Sequence, residues 1–174
     1  SNVLGTVTPI REIVEIAHAR GIPVLVDGSQ GAVHRKVDVQ DLGCDLYAFS
    51  GHKMGGPMGS GGVVVRRAIL EAMPPYQFGG DMIEWVNDQD TTWNALPHKF
   101  EAGTPNVESA VGLAAACDYL DSLGMDRVRA HEIALTAEAM RALAAVPGVT
   151  LHGTARAEDR SGVVSFSVAD VHPH

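Results

Sequence analysis

Positive charge, cysteine and long apolar runs are all scarce in this sequence, and each scarcity removes a class of function. Thirteen Lys and Arg stand against 21 Asp and Glu, a formal net charge of −8. That balance can hardly supply the basic face that a nucleic acid or an anionic membrane would require, so neither is expected as a partner. The two cysteines, Cys44 and Cys117, sit in the apolar runs Leu42-Gly43-Cys44-Asp45-Leu46 and Ala114-Ala115-Ala116-Cys117, without a second ligand at metal-binding spacing. They read as reduced, buried core thiols. No run of about 18 apolar residues exists and no basic stretch precedes an apolar one, so neither a spanning helix nor a signal peptide is visible, and a cytoplasmic setting is the expectation. The chain starts without Met at Ser1-Asn2-Val3 and stops at His172-Pro173-His174, just after a new strand pattern has begun. Both ends read as cuts. Two terminal histidines are weak grounds for a metal site, and none is expected.

What is present is ordinary for a folded protein: 174 residues, 45% hydrophobic and 20% charged, enough to bury a sizeable core. From Pro9 to Arg20 the apolar residues Ile10, Ile13, Val14 and Ala17 share one helix face, with Thr8 as N-cap, Pro9 in the first turn and Gly21 as the stop. Ile22-Pro23-Val24-Leu25-Val26 is a short apolar run ending in Asp27-Gly28, the pattern of a parallel strand covered on both faces. Asp45 to Ser50 and Gly62 to Arg66 repeat the strand pattern, and Ala68 to Met73 suits a short helix. Strand and helix alternate, so the class is α/β. Pro74 to Pro97 lacks periodicity and is expected to be a long active-site or interface loop. Helices follow from Val107 to Leu123 and from Asp126 to Ala145. Val149 to His152 and Gly162 to Val168 then read as strands of a different, smaller sheet. The implied division is 1–146 and 147–174, the second part being the start of a small α/β domain.

Ligands of open parallel sheets sit beyond the carboxyl ends of the strands, which draws attention to Asp27, Gln30 and the turn Ser50-Gly51-His52-Lys53. A carboxylate straight after five apolar residues is costly unless something cationic or hydrogen-bonding faces it. A protonated pyridine nitrogen would serve, and so would a turn that Asp27 closes with Gly28. Lys53 precedes the glycine-dense run Gly55-Gly56-Pro57-Met58-Gly59-Ser60-Gly61-Gly62, where backbone can approach a ligand closely. A lysine that attacks a carbonyl must be positioned and partly desolvated. Ser50 and His52 offer a hydroxyl and an imidazole to a phosphate.

Asp27-x-x-Gln30, followed by a strand ending in Ser50-x-His52-Lys53 and a glycine-rich turn, resembles the pyridoxal 5'-phosphate (PLP) site of the class V aminotransferase and cysteine desulfurase superfamily. Ser1-Asn2-Val3-Leu4-Gly5-Thr6, Val24-Leu25-Val26-Asp27-Gly28-Ser29-Gln30, Phe49-Ser50-Gly51-His52-Lys53, Pro57-x-Gly59 and Phe100-Glu101-Ala102-Gly103-Thr104-Pro105-Asn106 resemble, in this order, the Suf-type (group II) cysteine desulfurases. The resemblance covers nearly the whole chain. It implies a fold type I PLP-dependent transferase, represented here by the central part of its large domain and the start of its small C-terminal domain. It further implies that Lys53 holds PLP covalently and moves protons, that Asp27 pairs with the pyridine nitrogen, and that Gln30 contacts the ring's phenolic oxygen. Ser50 and His52 would contact the phosphate, and Thr104 the phosphate of a neighbouring subunit. Asn2 would meet the cofactor or the substrate carboxylate.

A homodimer is implied, with the 74–97 loop and its Trp85 and Trp93 near the interface. L-cysteine or a similar amino acid would be the substrate, and a sulfur-acceptor protein serving iron–sulfur cluster assembly a partner. The sequence departs from the family in two respects. The nucleophilic cysteine and carboxylate-gripping arginine of the family lie in a C-terminal part beyond this chain, and Cys44 and Cys117 do not match that cysteine; the polypeptide as given is expected to be unable to complete the reaction. Met54-Gly55-Gly56 also replaces bulkier residues common at that place. A selenocysteine lyase, an aminotransferase or an epimerase of the same fold, and a non-catalytic fold or dimerisation remnant, are the alternative readings. The remaining histidines, such as His18 and His131, are expected to face solvent from their helices.

Overall fold

A computed structural model describes residues 1–172. The amphipathic stripe read from the sequence becomes helix α1 (Ile10–His18), which buries Val14. Its N-cap position is Pro9, without a side-chain cap, a correction to the reading of Thr8. Thr8 contributes its carbonyl instead, accepting the Ile10 N–H at 2.9 Å.

Strand β1 (Leu25–Asp27) runs parallel to β2 (Leu46–Ser50), with Leu25, Val26 and Asp27 opposite Leu46, Tyr47 and Ala48. Strand β3 (Gly61–Val65) closes the three-stranded sheet antiparallel to β2. The apolar run before Asp27 is covered on one face only: Val26 is buried, whereas Ile22 and Leu25 are 52% and 60% exposed. It is also shorter than expected, because Pro23 has no N–H for a ladder; pairing begins where the Val24 carbonyl accepts the Asp45 and Leu46 N–H groups. Val14, Val26, Cys44 and Tyr47 form the buried core under this sheet, ringed by Ile10, Val24, Val37, Val39, Leu42 and Phe49.

Two one-turn helices that the periodicity does not announce, α2 (Gly31–His34) and α3 (Val39–Leu42), connect β1 to β2. Asp38 caps α3 by accepting the Gln40 and Asp41 N–H groups at 2.9 and 3.1 Å, a local signal that short helices depend on. After α4 (Arg67–Ala72), the segment expected to be an irregular loop contains an antiparallel hairpin, β4 (Ile83–Val86) and β5 (Thr91–Trp93). Its β-branched and aromatic residues favour pairing, and its turn is closed by Asn87 N–H to Asp90 O and Asn87 Nδ2 to Asp90 Oδ1, both 2.9 Å.

Helices α5 (Val107–Leu123) and α6 (Met125–Ala144) follow their periodicity closely. Asn106 caps α5 through the Ser109 N–H at 3.1 Å, and Gly124, at φ 79°, makes the break between the helices. Strands β6 (Val149–His152) and β7 (Ser165–Val168) pair antiparallel in a separate sheet against α6.

One buried cation fastens the start of the chain to this last region. Arg160, 1% exposed, donates to Thr154 O at 2.6 Å, His152 O at 2.6 Å and Leu4 O at 3.2 Å. Backbone bonds from Val7 to Asp159 and from Ser161 to Gly5 add to the joint. His18 is exposed, as expected, and its ring also bonds Asp45 Oδ2 at 2.8 Å. His131 is exposed.

Candidate functional site

The carboxyl ends of β1 and β2 lie side by side, tied by Gly28 N–H to Ala48 O at 2.8 Å. Gly28 has no room for a side chain: a Cβ there would fall 1.9 Å from Tyr47 Cζ, and the Tyr47 hydroxyl donates to Gly28 O at 3.2 Å. The buried tyrosine thus sets the height of the backbone just after Asp27. Burial pushes the Tyr47 phenol up, so it stays a neutral donor.

Asp27 is exposed at the strand end and accepts the Ser29 N–H at 3.0 Å. That bond, then one from the Ser29 side chain, outweighs a modest desolvation; with the Lys53 charge also acting on it, the carboxyl is held below the usual carboxylate range. The Ser29 N–H bond is the turn-closing arrangement read from the sequence.

Beyond β2 the chain turns at once into a 3₁₀ turn, Gly51–Met54, which carries His52 and Lys53. Its first residue is wedged: a Cβ on Gly51 would lie 2.0 Å from Ser60 Oγ and 3.1 Å from Leu113 Cδ1 of α5. Ser50 Oγ and His52 Nδ1 are 2.8 Å apart. Lys53 is exposed, which corrects the expectation of partial desolvation, since among the described residues a short sheet and a tight turn place no cover over it.

Gln30 immediately precedes α2, and its Oε1 faces His34 Nε2 at 3.3 Å. His34 Nδ1 meets Glu132 Oε1 of α6 at 2.7 Å. Asp27, Gly28, Gln30 and His34 share the wall of a cavity of about 640 Å³ with Thr6 and Arg129. Ser50, His52 and Lys53 are not in that wall, so the cavity covers one half of the predicted group. Thr104 and Asn2 are exposed, and among the described residues no hydrogen bond joins either to Asp27 or Lys53.

Cys44 is buried and desolvation pushes its thiol up, conditions under which it stays protonated and inert; Cys117 is half-buried on α5. No cluster of three or more potential metal ligands occurs among the described residues, and of the terminal pair His174 lies outside them, as does Pro173. No helix among the described residues is long and apolar enough to cross a membrane.

The residues that sequence reasoning missed are Tyr47, His34, Glu132 and Arg160. His34 stands four residues after Gln30, a helical spacing that could have been noticed; Glu132 is 98 positions from its partner and carries no local signal.

Comparison with known proteins gives this arrangement a context. The family model described as aminotransferase class-V matches residues 1–174. A probable cysteine desulfurase of Halalkalibacterium halodurans is 51% identical over 174 residues, all of this chain and 42% of the relative. The crystal structure of the cysteine desulfurase CsdA from Escherichia coli superposes with a TM-score of 0.91 at 41% identity, covering 99% of this chain and 42% of that one. A mutant of C-DES with glycine covalently linked to its PLP cofactor superposes at 0.83 and 28% identity, covering 96% of this chain and 45% of that one. The chain thus spans about 42% of the length of the curated relatives it matches, and its mixed α/β architecture is the fold type I architecture of these structures. A family match across every residue of a chain with that fold shows that it belongs to the class-V aminotransferase family.

Proposed function

We propose that the protein containing this chain is a PLP-dependent cysteine desulfurase of the Suf-type group, taking sulfur from L-cysteine, leaving L-alanine, and passing the sulfur on as a persulfide toward iron–sulfur cluster assembly. One observation carries the reading: β1 and β2 pair in parallel, so that Asp27 ends one strand beside the end of the next, where the turn bearing His52 and Lys53 begins, in a chain 51% identical to a probable cysteine desulfurase.

The donor set fits the cofactor. A carboxylate held in its charged form suits a protonated ring nitrogen, and the hydroxyl–imidazole pair of Ser50 and His52 suits a phosphate. The Gln30 amide suits a phenolic oxygen, and Lys53 supplies the primary amine. PLP, when bound, supplies an electron-withdrawing ring that drains charge from the substrate Cα.

Asp27 would keep the ring nitrogen protonated; its own carboxyl is held low by the Ser29 N–H, so it does not take that proton for itself. Ser50 and His52, fixed to each other at 2.8 Å, would orient the phosphate. Lys53 Nζ would hold the cofactor's carbonyl carbon and, once displaced by a substrate amine, accept the Cα proton; the tight 3₁₀ turn fixed by Gly51 confines where that amine can be. Asn2 would meet the substrate carboxylate or the cofactor. Neither Cys44 nor Cys117 is suited to receive sulfur, so that role falls to a cysteine outside this chain.

Residues 1–146 would be part of the PLP-binding domain and 147–174 the start of the small domain, in a cytoplasmic homodimer to which Thr104 contributes a phosphate contact from the partner side. The exposed side chains of Tyr76, Phe78, Trp85 and Val86 support an interface near the β4–β5 hairpin. Adding PLP to the purified protein should produce the visible absorbance of lysine-bound PLP, lost in Lys53→Ala and weakened in Asp27→Ala. A folded protein that gives no such band would overturn the reading.

A further inference from the structure

We infer that His34 and Glu132 form a positioning pair that fixes the rotation of the Gln30 amide and so aims its NH2 group at the ring oxygen of the cofactor; this rests on the PLP reading above. Gln30 lies half-buried at the junction of β1 and α2, and an amide there has two rotations that differ only in which end is oxygen. The side chain across from it decides between them. Glu132, a carboxylate acceptor, stands 2.7 Å from His34 Nδ1, so Nδ1 carries a hydrogen and donates. Gln30 Oε1 stands 3.3 Å from His34 Nε2 and accepts from it. In this arrangement Glu132 takes the Nδ1 hydrogen and Gln30 Oε1 faces Nε2, so the two neighbours occupy both ring nitrogens of His34.

With its oxygen committed to His34, Gln30 has only N–H donors left for its other side, which is what an anionic oxygen requires. The opposite rotation would turn the carbonyl oxygen toward that anion and two donors toward a donating imidazole, which is doubly unfavourable.

The pair is built into the fold. His34 and Glu132 have side chains only 23% and 19% exposed, and Glu132 lies on the long α6, so a rigid 20-residue helix rather than a loop sets the reference position. Arg129, one turn earlier on α6, has Nη1 3.9 Å from Glu132 Oε2 and donates Nη2 to Glu158 O at 2.7 Å; it holds the carboxylate on the side away from His34. Glu132 Oε2 makes no hydrogen bond, so Oε1 toward His34 is the oxygen that is engaged.

The test is a double-mutant cycle in the PLP-loaded protein, read by the cofactor's absorbance maximum and by its dissociation constant. Gln30→Ala should displace the maximum and weaken PLP binding by about three- to tenfold, the size of one hydrogen bond. His34→Ala should give the same spectral displacement and a similar weakening, and should add nothing in the Gln30→Ala background. Glu132→Gln, which keeps the shape of the α2–α6 contact, should produce a smaller displacement in the same direction.

If Gln30→Ala alters the spectrum while His34→Ala and Glu132→Gln leave it unchanged, the positioning role is wrong and the PLP reading stands. Additive effects of Gln30→Ala and His34→Ala would likewise overturn it, since a merely structural histidine acts regardless of Gln30. A protein whose spectrum shows no lysine-bound PLP even without substitution would instead sink the PLP reading itself.

Discussion

Replacing Gly28 by alanine should damage the protein out of proportion to the one methyl group added. The new Cβ would stand 1.9 Å from Tyr47 Cζ and 2.2 Å from both Cε1 and Oη, against a comfortable carbon separation of about 3.5–4.0 Å. One of the two must move by well over 1 Å on that scale. Tyr47 cannot swing aside: it is 5% exposed and packed with Val14, Val26 and Cys44. Overpacking of this kind costs about 1–3 kcal/mol, and loss of the Tyr47–Gly28 hydrogen bond adds about 1 kcal/mol. Backbone strain contributes nothing, because Gly28 is not among the positive-φ glycines. The total of about 2–4 kcal/mol corresponds to a fall in Tm of roughly 4–16 °C for a chain of this size. Calorimetry on Gly28→Ala, Tyr47→Ala and the double variant measures it. In the Tyr47→Ala background, with the ring gone, Gly28→Ala should cost almost nothing. A Gly28→Ala protein that melts with the parent, or a loss of equal size in both backgrounds, would show that Tyr47 does not exclude a side chain at Gly28.

Arg160→Ala removes a buried donor shared by three backbone carbonyls and should cost about 3 kcal/mol, with accelerated amide exchange at Gly5 and Val7; unchanged exchange there would show that the joint does not depend on the guanidinium. Asp45 gives a pH dependence. Burial pushes its carboxyl up, but the His18 and Val24 hydrogen bonds and the His18 and Arg66 charges outweigh it, and the net position lies below 3.8. Stability from Asp45 is therefore present above that value and lost as the pH falls through it toward the folded-state pKa. Asp45→Asn should lower stability at pH 7 and flatten the acid limb of stability against pH; an acid limb as steep as the parent's would contradict this. Trp85, 70% exposed on the hairpin, should matter to assembly and little to folding: Trp85→Ala should shift a dimer toward monomer in sedimentation, with Tm within about 2 °C of the parent.

Much of the architecture was legible because it rests on local pattern. The α5 and α6 helices could be delimited within a residue or two, since their apolar periodicity is long and Gly124 separates them. The proposed site's anchors stand out in the sequence for a different reason: Asp27 and Lys53 are polar residues placed at or just past the ends of short apolar strands, and in a parallel sheet such ends gather on one side. What escaped depends on contacts between distant residues. The hairpin of β4 and β5 has too few residues to show alternation, and α2 and α3 are single turns set by capping and tertiary packing rather than by amphipathic pattern. His18 lies on an amphipathic helix, yet its partner Asp45 is 27 residues away; the Arg160 joint spans 156 positions. The exposure of Lys53 and Leu25 was not foreseen either, since an apolar run carries no information about what covers it.

Lys53 is the residue proposed to hold PLP. Reducing the PLP-loaded protein with borohydride, digesting it and locating the adduct by mass spectrometry identifies the attachment site. A reduced phosphopyridoxyl group is expected on Lys53 and is absent from Lys53→Ala. Modification of Lys36 or Lys99 instead, or none in a folded protein saturated with PLP, would contradict that assignment.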